Sequence, residues 1–480
     1  MRLIAILATA LILRLINLNQ SLWLDEAVQA ITSQGSFSAI FSELRGDFHP
    51  PLYHFFMWLW VHLFGSSEIV LRLPSVLFGV GTVWVIYKLG SLGKLGNLGI
   101  VAALFLATAP FHIYYSQEAR MYAMTAFFAS LSMYYFLRVI GEKRENRGAV
   151  WGYLAGTAAM LYSDYYGFLV LLAQIIGGWI ILRRKIAPLL NCFIAPLLLF
   201  LPWLPFFLIQ LKTGLQATQD LPNWAGLANV SFLKALPLTF IKFSLGRITI
   251  FNRALYALVS LGIVGALGLM GGRGAFNWYK QKDRKDHYLV IVLWLIVPIF
   301  TAWLTSVFIP NYQPFRLLLV LPAFYLLLAY GIIKEYRLQR ILLCIFILGV
   351  NLTSSLVYFV NPYFHREDWR GVANYLRREN LSIVISSKTF DWPLVFYGAE
   401  SQIVSVSDGV RPVKDKDRLS LISQIRKTGK REIAYTPYLA DVYDWQDSAL
   451  AWLEESGFVK IKEINFNQIP VWVYSSSITK

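Results

Sequence analysis

The chain has 480 residues, of which 56% are hydrophobic and only 15% are charged. Because a soluble globular protein carries about 25% charged residues, this composition excludes a soluble protein and indicates an integral membrane protein. The formal net charge of +16 would suit a nucleic-acid partner, but the basic residues fall largely in short loops between apolar runs. In that position they orient a membrane protein, so we expect no nucleic acid.

Eleven apolar segments have the length of membrane-spanning helices, which need about 20 mostly apolar residues and sometimes as few as 17. They lie near residues 3–18, 71–88, 97–113, 121–138, 149–163, 165–182, 187–208, 254–272, 288–307, 315–333 and 340–360. The first has no small-residue cleavage site after it, so we interpret it as a membrane helix and not as a signal peptide. Cys192 and Cys344 each lie inside an apolar run, which predicts core residues and neither a disulfide nor a metal pair.

The basic loops predict the orientation of these spans. The clusters are Lys88 with Lys94, Arg138 to Arg147, Arg183 to Lys185, Lys280 to Lys285, and Lys334 to Arg340. With Arg2 inside and eleven spans, every cluster is cytoplasmic, as the positive-inside rule requires. Counting the short segment 50–65 as a further span would place them all outside. We therefore predict that this segment, which also carries His54 and His62, is an interfacial helix at the outer surface.

The composition changes at Asn361, where the charge rises and no further span follows. An amphipathic pattern, HREDWRGVANYLRREN, precedes a short apolar run, LSIVISS, and two further pairs of helix and strand follow. This alternation predicts a small α/β domain with a largely parallel sheet. We expect an α-helical polytopic membrane protein of about 11 transmembrane helices (1–360), with a first outer loop at 19–71. The extracytoplasmic α/β domain would span 361–480.

On this topology the ionisable residues collect at the outer ends of the spans, and the middles of the spans are nearly free of them. They are Asp25, Glu26, Glu43, Arg45, Asp47, His49 and His54 in the first outer loop, Glu118 and Arg120 in the second, Asp164 in the third, and Arg316 at the outer start of a late span. Such residues are functional by default at membrane depth but not at its edge. Their convergence from distant loops on one face nevertheless predicts a site there.

Each of these residues, taken alone, has a simpler explanation. Ser21 could cap a helix whose first turn carries Asp25 and Glu26, since acids there suit the positive end of the helix dipole. Arg120 and Arg316 could extend to lipid phosphates. The histidines could be interfacial aromatic residues.

Five motifs, in this order along the chain, carry a resemblance to a known family. They are LWLDEAVQAI (22–31), DFHPPLYH (47–54), YYSQEARMY (114–122), RLLLVLP (316–322) and FHREDWRGVANYLR (364–377). The chain resembles the GT-C glycosyltransferases, and within them the branch of the protein O-mannosyltransferases and the lipid A aminoarabinose transferase. The C-terminal motif is similar to the tail of bacterial members. The lumenal β-trefoil domain that many protein O-mannosyltransferases carry has no counterpart in the sequence.

The resemblance implies an inverting transfer of a hexosyl or pentosyl group from a polyprenyl-phosphate donor to an acceptor hydroxyl. The acceptor would be a lipid, a glycan or a protein at the outer face of the cytoplasmic (plasma) membrane. The family's key acid in the first outer loop matches Asp25 and Glu26, and its paired prolines match Pro50 and Pro51. The aminoarabinose transferase has lysine before these prolines, whereas this chain has His49. Because some relatives bind a divalent metal ion nearby and others need none, a possible divalent metal stays open.

The chemistry of such a transfer suggests roles for these residues. A polyprenyl phosphate leaves readily, so the site needs a base for the acceptor hydroxyl and positive charge for the departing phosphate. We expect Asp25 to be the base, with Glu26 orienting it or a neighbour, and both as the catalytic pair. The candidate substrate-binding residues are Asp47, His49, Tyr53, His54, Tyr115, Glu118, Arg120, Asp164 and Arg316, of which His49, Arg120 and Arg316 are candidates for the phosphate.

A polytopic lipid or sugar transporter or flippase is the alternative. Such proteins usually place ionisable groups or broken helices near the membrane midplane, often in repeated halves. The sequence has no evident internal repeat, and its acids lie in loops. This pattern favours the enzyme.

Overall fold

A computed structural model describes residues 1–92, 97–141, 146–182, 187–221, 223–250, 252–279, 285–333 and 335–476. The first part of this structure is helical, and a five-stranded sheet with short helices follows it. The basic residues at 142–145, 183–186 and 280–284 on which the predicted orientation depends lie outside the described residues.

The first ten helices contain the segments that carry most of the predicted site. They are α1 (Arg2–Leu15), α2 (Leu24–Gln34), α3 (Phe37–Gly46), α4 (Leu52–Phe64), α5 (Glu68–Leu92), α6 (Leu98–Thr108), α7 (Pro110–Ser116), α8 (Tyr122–Gly141), α9 (Arg147–Ser163) and α10 (Gly167–Leu182). The predicted interfacial segment is helical as α4, whose face with Tyr53, His54 and Met57 is buried. Its position at a membrane surface stays a prediction.

Eight further helices complete the helical part. They are α11 (Ala187–Phe200), α12 (Leu204–Asp220), α13 (Trp224–Ala228), α14 (Phe232–Leu245), α15 (Arg253–Tyr279), α16 (Lys285–Thr305), α17 (Leu321–Ile333) and α18 (Arg337–Val360), with 3-10 turns at Leu201–Trp203, Pro314–Val320 and Pro362–Phe364. Each predicted span coincides with a helix or with two consecutive helices. Sequence analysis did not predict α14.

The helical part is that of a multi-pass membrane protein. Within the described residues, seven helices are long and apolar enough to cross a membrane, or eight if the bent pair α6 and α7 forms one span. The helices α4 and α10 are apolar but shorter. The predicted count of eleven spans, and the orientation that depends on it, stay predictions.

The chain bends by 63° between α6 and α7. The last carbonyl groups of a helix have no partner within it, and Pro110 has no N–H with which to continue the ladder. The buried Arg14 side chain of α1 meets this need, since its Nη1 donates to the Ala107 carbonyl at 3.0 Å. Its Nη2 lies 3.4 Å from the Leu106 carbonyl. This support holds the break, after which α7 leads directly into the loop at 117–121.

The C-terminal region, residues 361–476, contains five helices and five strands. They are α19 (Trp369–Arg378), β1 (Ser382–Ser387), α20 (Trp392–Phe396), β2 (Ile403–Ser407), α21 (Asp417–Thr428), β3 (Glu432–Tyr435), α22 (Ala440–Tyr443), α23 (Ser448–Glu455), β4 (Phe458–Phe466) and β5 (Ile469–Ser476), with 3-10 turns at Lys388–Phe390 and Glu400–Gln402. The predicted α/β architecture is confirmed. The division of the chain at residue 360 into two domains stays a prediction.

The expectation of a largely parallel sheet was wrong. The strand order is β2-β1-β3-β5-β4, and β1 pairs in parallel with β2 and β3 while β5 pairs antiparallel with β3 and β4. Between β4 and β5 only Asn467 and Gln468 intervene, and both have positive φ angles of 43° and 76°. A two-residue turn of this kind reverses the chain into a hairpin, which makes the sheet mixed.

The C-terminal region packs against the beginning of α2 and the segment before it. Leu24 and Trp224 from the helical part pack against the core that contains Trp369 and Ile383. Asn223 donates from its side chain to the Asp441 carbonyl at 2.7 Å. The two parts of the molecule therefore meet where the predicted catalytic acids lie.

Candidate active site

Asp25 and Glu26 lie in the first turn of α2, but they face different surroundings. Successive residues of a helix point about 100° apart. Glu26 is completely buried, whereas the Asp25 side chain keeps 36% of its surface accessible. The residue before the helix is Trp23, and no side chain caps the helix. The explanation of the acids by a Ser21 cap is therefore wrong.

Both carboxylate oxygens of Glu26 accept hydrogen bonds from other residues. Its Oε1 accepts from Arg72 Nε and from the Ala119 backbone N–H, each at 2.8 Å, and its Oε2 accepts from Arg72 Nη2 at 2.5 Å. Burial raises the pKa of this carboxyl, but Arg72 and Arg366 outweigh burial and hold the pKa below its usual value. A carboxylate so occupied cannot also receive a substrate proton. These contacts favour the orienting role expected for Glu26, and its part in catalysis stays a prediction.

A second acid and a second arginine join this pair. Glu118 Oε2 accepts from Arg366 Nη1 at 2.9 Å, and Arg366 Nε lies 3.9 Å from Glu26 Oε2. All four side chains, including Arg72, are buried. Burial raises the pKa of Glu118, and the Arg366 charge opposes that rise only in part. We call these four residues the closed cluster.

Asp25 faces Arg120, whose Nη2 lies 3.6 Å from Asp25 Oδ2. The closed cluster brings Asp25 and Arg120 near each other. Glu26, the residue after Asp25, accepts a hydrogen bond from the backbone N–H of Ala119, the residue before Arg120. Arg120 is buried except for 6% of its surface, and its Nε has no hydrogen-bond partner among the described residues. Burial lowers the pKa of Arg120, but Asp25 and the other nearby acids outweigh burial, so that the guanidinium stays charged.

Asp47 lies between two histidines. Its Oδ1 is 2.8 Å from His49 Nδ1, and its Oδ2 is 2.9 Å from His54 Nε2. Burial raises the pKa of Asp47, but His49 and then His54 hold it well below its usual value. Burial lowers the pKa of His49, although Asp47 opposes this. Arg120 Nη2 lies 3.4 Å from His49 Nδ1, which joins this group to the Asp25 pair.

Asp164 and Arg316 line a cavity of about 300 Å³. Phe48 and Gln210 also line it, and the Gln210 amide donates to the His49 carbonyl at 3.0 Å. Asp164 accepts from the Tyr166 N–H at 2.9 Å. Arg316 Nε has no hydrogen-bond partner among the described residues. The cavity therefore adjoins the Asp47 and His49 group, and one acidic side chain (Asp164) and one cationic side chain (Arg316) line it.

The two tyrosines of the predicted set lie deeper. Tyr53 is buried in α4. The Tyr115 ring packs edge-on against Tyr122 and tilted against Phe315, with centroid separations of 5.6 and 5.8 Å. The site thus brings together Asp25, Asp47, His49, His54, Arg120, Asp164 and Arg316, with Glu26 and Glu118 held in the closed cluster. Substrate contacts of Tyr53 and Tyr115 stay predictions.

Three arginines near the site were not predicted from the sequence. Arg72 and Arg366 belong to the closed cluster, and Arg247 donates from Nη1 to the Tyr114 hydroxyl at 2.9 Å. Arg247 is exposed, and its neighbours Leu245 and Ile248 line an apolar cavity of about 410 Å³. For Arg72 a signal existed, because an arginine at the predicted outer start of a span departs from the positive-inside rule.

The described residues do not fit a metal ion held by protein ligands. Although Asp47, His49 and His54 lie together, no group of three or more histidine, cysteine or acid side chains among the described residues is arranged so that it could hold a metal ion. Both Asp47 oxygens are already engaged by histidines, and Glu26 is engaged by Arg72. A closed set of ligands of the usual kind is therefore not assembled.

Comparison with known proteins gives one family match. Residues 48–206 match the family model described as dolichyl-phosphate-mannose-protein mannosyltransferase. The comparison with curated proteins found no match.

Three solved structures align with this chain, the first two with TM-scores above 0.5. The Archaeoglobus fulgidus oligosaccharyltransferase complex with Zn and sulfate is 11% identical, with a TM-score of 0.59 over 99% of this chain and 73% of that one. AglB from the same organism, with an inhibitory peptide and a dolichol-phosphate, is 12% identical, with a TM-score of 0.55 over 99% and 74%. ArnT from Cupriavidus metallidurans bound to undecaprenyl phosphate is 14% identical, with a TM-score of 0.47 over 98% and 97%.

The protein has the GT-C fold of these membrane glycosyltransferases. The family match over residues 48–206 agrees with the GT-C resemblance that the motifs predicted.

Proposed function

We propose that the protein is a membrane glycosyltransferase that moves a sugar from a polyprenyl-phosphate donor to an acceptor hydroxyl at the outer face of the cytoplasmic membrane. The observation that carries the proposal is the Asp25 carboxylate, which is accessible and lies 3.6 Å from the Arg120 guanidinium. One group can take a proton, and the other can stabilise a departing phosphate. The sugar, the acceptor and the side of the membrane belong to the proposal.

Asp25 acts as the general base. The acceptor hydroxyl gives its proton to the Asp25 carboxylate while its oxygen bonds to the anomeric carbon of the donor. The bond between that carbon and the phosphate oxygen breaks, and its electron pair leaves with the polyprenyl phosphate. Attack from the face opposite the phosphate inverts the anomeric configuration. A positioned base of this kind contributes roughly 10²–10⁴-fold to the rate.

Arg120 and Arg247 hold the departing phosphate. A guanidinium presents paired donors that suit phosphate oxygens. Arg247 is bonded to a phenol and not to a carboxylate, which leaves its charge available to a ligand. The apolar cavity beside Leu245 and Ile248 would take the first isoprene units, so that one arginine lies where a lipid tail would join its phosphate.

His49 suits a hydroxyl better than a phosphate. Its Nδ1 is 2.8 Å from Asp47, and its Nε2 is buried without a hydrogen-bond partner among the described residues. Because burial lowers the His49 pKa, the ring is neutral near pH 7. The Asp47 contact assigns the proton to Nδ1, so that Nε2 offers a lone pair. We therefore assign the phosphate to the arginines and a sugar hydroxyl to His49.

The direct test uses proteoliposomes that contain the purified protein and a polyprenyl phosphate carrying a tritiated sugar. A detergent extract of envelope lipids and glycans supplies the acceptor. We expect release of free polyprenyl phosphate together with label in a product that no longer contains the polyprenyl chain. Movement of intact donor between leaflets without such release would instead support a flippase. Mass spectrometry of envelope glycans with and without the gene would name the sugar.

A further inference from the structure

The side chain of Arg366, in the C-terminal region, lies between Glu26 and Glu118. We propose that Arg366 is a positioning residue, and that the active site is complete only when the C-terminal region inserts this guanidinium between Glu26 and Glu118. The inference rests on the proposed function for its catalytic consequence. Its structural part, the ordering of α2 by Arg366, stands separately and can be measured separately.

Arg366 is held from several sides. Its Nη1 donates to Glu118 at 2.9 Å, and its Nη2 donates to the Gln117 carbonyl at 3.0 Å. Its guanidinium carbon lies 4.6 Å from the centre of the Tyr114 ring. Only 6% of the residue is accessible. An arginine bonded to two sites of the loop at 117–121 fixes the backbone that carries Arg120.

The charges of the closed cluster balance only with Arg366 present. Glu26 and Glu118 bring two negative charges, and Arg72 supplies one positive charge from the helical part. The second positive charge comes from the C-terminal region. Removing one partner of a buried ion pair is strongly destabilising, because it leaves an uncompensated charge. Separation of the two regions would therefore leave a buried acid without its cation.

The residues around Arg366 also hold the chain that leads to Asp25. The Arg366 backbone N–H donates to Gln20 Oε1 at 2.8 Å, and the Arg370 N–H donates to Ser21 Oγ at 3.0 Å. The Tyr397 hydroxyl accepts from the Leu22 N–H at 2.8 Å. Three consecutive residues just before α2 are thus tied to the C-terminal region. This arrangement sets where the Asp25 carboxylate stands.

The expected consequence is a loss of turnover and not of donor binding. A displacement of about 1 Å in a catalytic group can cost about 10²-fold in rate. The donor phosphate contacts Arg120 and Arg247 in our proposal and does not contact Arg366. Arg366→Lys should therefore lower kcat by about tenfold or more, while the KM for donor changes by less than about threefold.

The test compares Arg366→Lys and Arg366→Leu with Arg411→Leu as a matched control. Arg411 makes a two-point ion pair with Asp417 at 2.7 and 2.8 Å, wholly within the C-terminal region. Hydrogen exchange of the amides at 19–34 is measured in the full-length protein. We expect exchange there to rise about tenfold or more in both Arg366 variants and not in the control. Unchanged exchange in both Arg366 variants would overturn the inference.

A paired variant keeps the test decisive if Arg366→Leu folds poorly. Arg366→Leu combined with Glu118→Gln removes one positive and one negative charge, so the cluster stays balanced. We expect its exchange at 19–34 to return toward that of the unaltered protein, whereas no recovery would contradict the charge argument. If the unaltered protein transfers no sugar, the proposed function fails, but the exchange results still decide the role of Arg366.

Discussion

Two groups of charged side chains lie next to each other at one end of the helical part, and they differ in how their charges are used. In the closed cluster of Glu26, Arg72, Glu118 and Arg366, acids and arginines are matched and buried. In the neighbouring group, which we call the open cluster, Asp25 and Arg120 approach only to 3.6 Å and the acid is accessible. His49 and Arg316 also belong to the open cluster.

This difference indicates that the closed cluster stabilises the structure and that the open cluster is available to a substrate. A buried charge with all its partners has no capacity left for a substrate, and it fixes the backbone around it. Of the closed cluster, only Glu118 Oε1 lacks a hydrogen-bond partner among the described residues, whereas the open cluster has three such atoms, at Arg120 Nε, His49 Nε2 and Arg316 Nε. Adjacent residues of one helix turn, Glu26 and Asp25, belong to opposite groups. Glu26 fixes the local backbone, and in our proposal Asp25 is the residue that reacts with the substrate.

The largest effect should come from breaking the closed cluster. Glu26→Gln leaves Arg72 buried with too few acceptors, and we expect it to lower the free energy of unfolding by about 3–5 kcal/mol. Unfolding in detergent by urea or heat measures this loss. Glu455→Gln is the control, because the exposed Glu455 pairs with Arg418 at the surface and should cost about 1 kcal/mol or less. Equal, small losses in both variants would contradict the assignment of Glu26 to the frame.

The residues of the open cluster were easier to predict from the sequence than those of the closed cluster. Asp25, His49, Arg120 and Arg316 stood out because ionisable residues near membrane spans are unusual. The partner of Glu26 could not be predicted, because Arg72 lies 46 positions away and only the folded chain brings the two side chains together. The same holds for Arg366, which is 248 positions from Glu118.

The fold divides in a similar way. Long apolar runs predicted the helices of the membrane part, since a strong local signal needs no knowledge of partners. The mixed sheet was not predicted, because helix and strand patterns alone do not tell which strands are neighbours. The structure shows the chain reversal at Asn467 and Gln468, and the antiparallel pairing of β5 with both β3 and β4 places it between them.

The next effect should come from the open cluster. Arg120→Lys keeps the charge but loses the planar pair of donors, and a hydrogen bond to a charged group is worth about 1.5–3 kcal/mol. We expect kcat/KM to fall roughly 10–100-fold, with little change in unfolding. Steady-state transfer assays give the first quantity, and the same assay on the exposed Arg378→Lys provides the control. Full activity of Arg120→Lys would leave this arginine as a contact to lipid phosphate only.

A smaller effect is expected at the cavity. Arg316 is half-buried and lines the space that Asp164 also faces. Arg316→Lys should raise the KM for donor or acceptor by about threefold to tenfold, since one charged contact is weakened and not removed. Titrating each substrate in turn identifies which one the cavity binds. An unchanged KM for both would remove Arg316 from the open cluster.

The smallest effect concerns pH. The pKa of His49 lies below its usual value of 6.5 in the folded protein, so the unfolded chain binds more protons there. Because burial disfavours the protonated His49 ring, folding stability is full above about pH 6.5 and falls as the pH falls below it, by at most about 1.4 kcal/mol per pH unit. Hydrogen exchange at 47–54, corrected for intrinsic rates, should rise between pH 7.5 and 5.5. His49→Gln should reduce this dependence, whereas replacing the exposed His62 should not. Equal pH dependence in all three proteins would contradict the assignment of this effect to the buried His49 ring.

The central claim is that Asp25, and not Glu26, receives the acceptor's proton. Asp25→Asn keeps the size of the side chain and removes its basicity, and single-turnover transfer at saturating donor isolates the chemical step. We predict a fall of about 10²–10⁴-fold in that rate, with unfolding and donor binding nearly unchanged. Transfer by Asp25→Asn at the rate of the unaltered protein would contradict the claim.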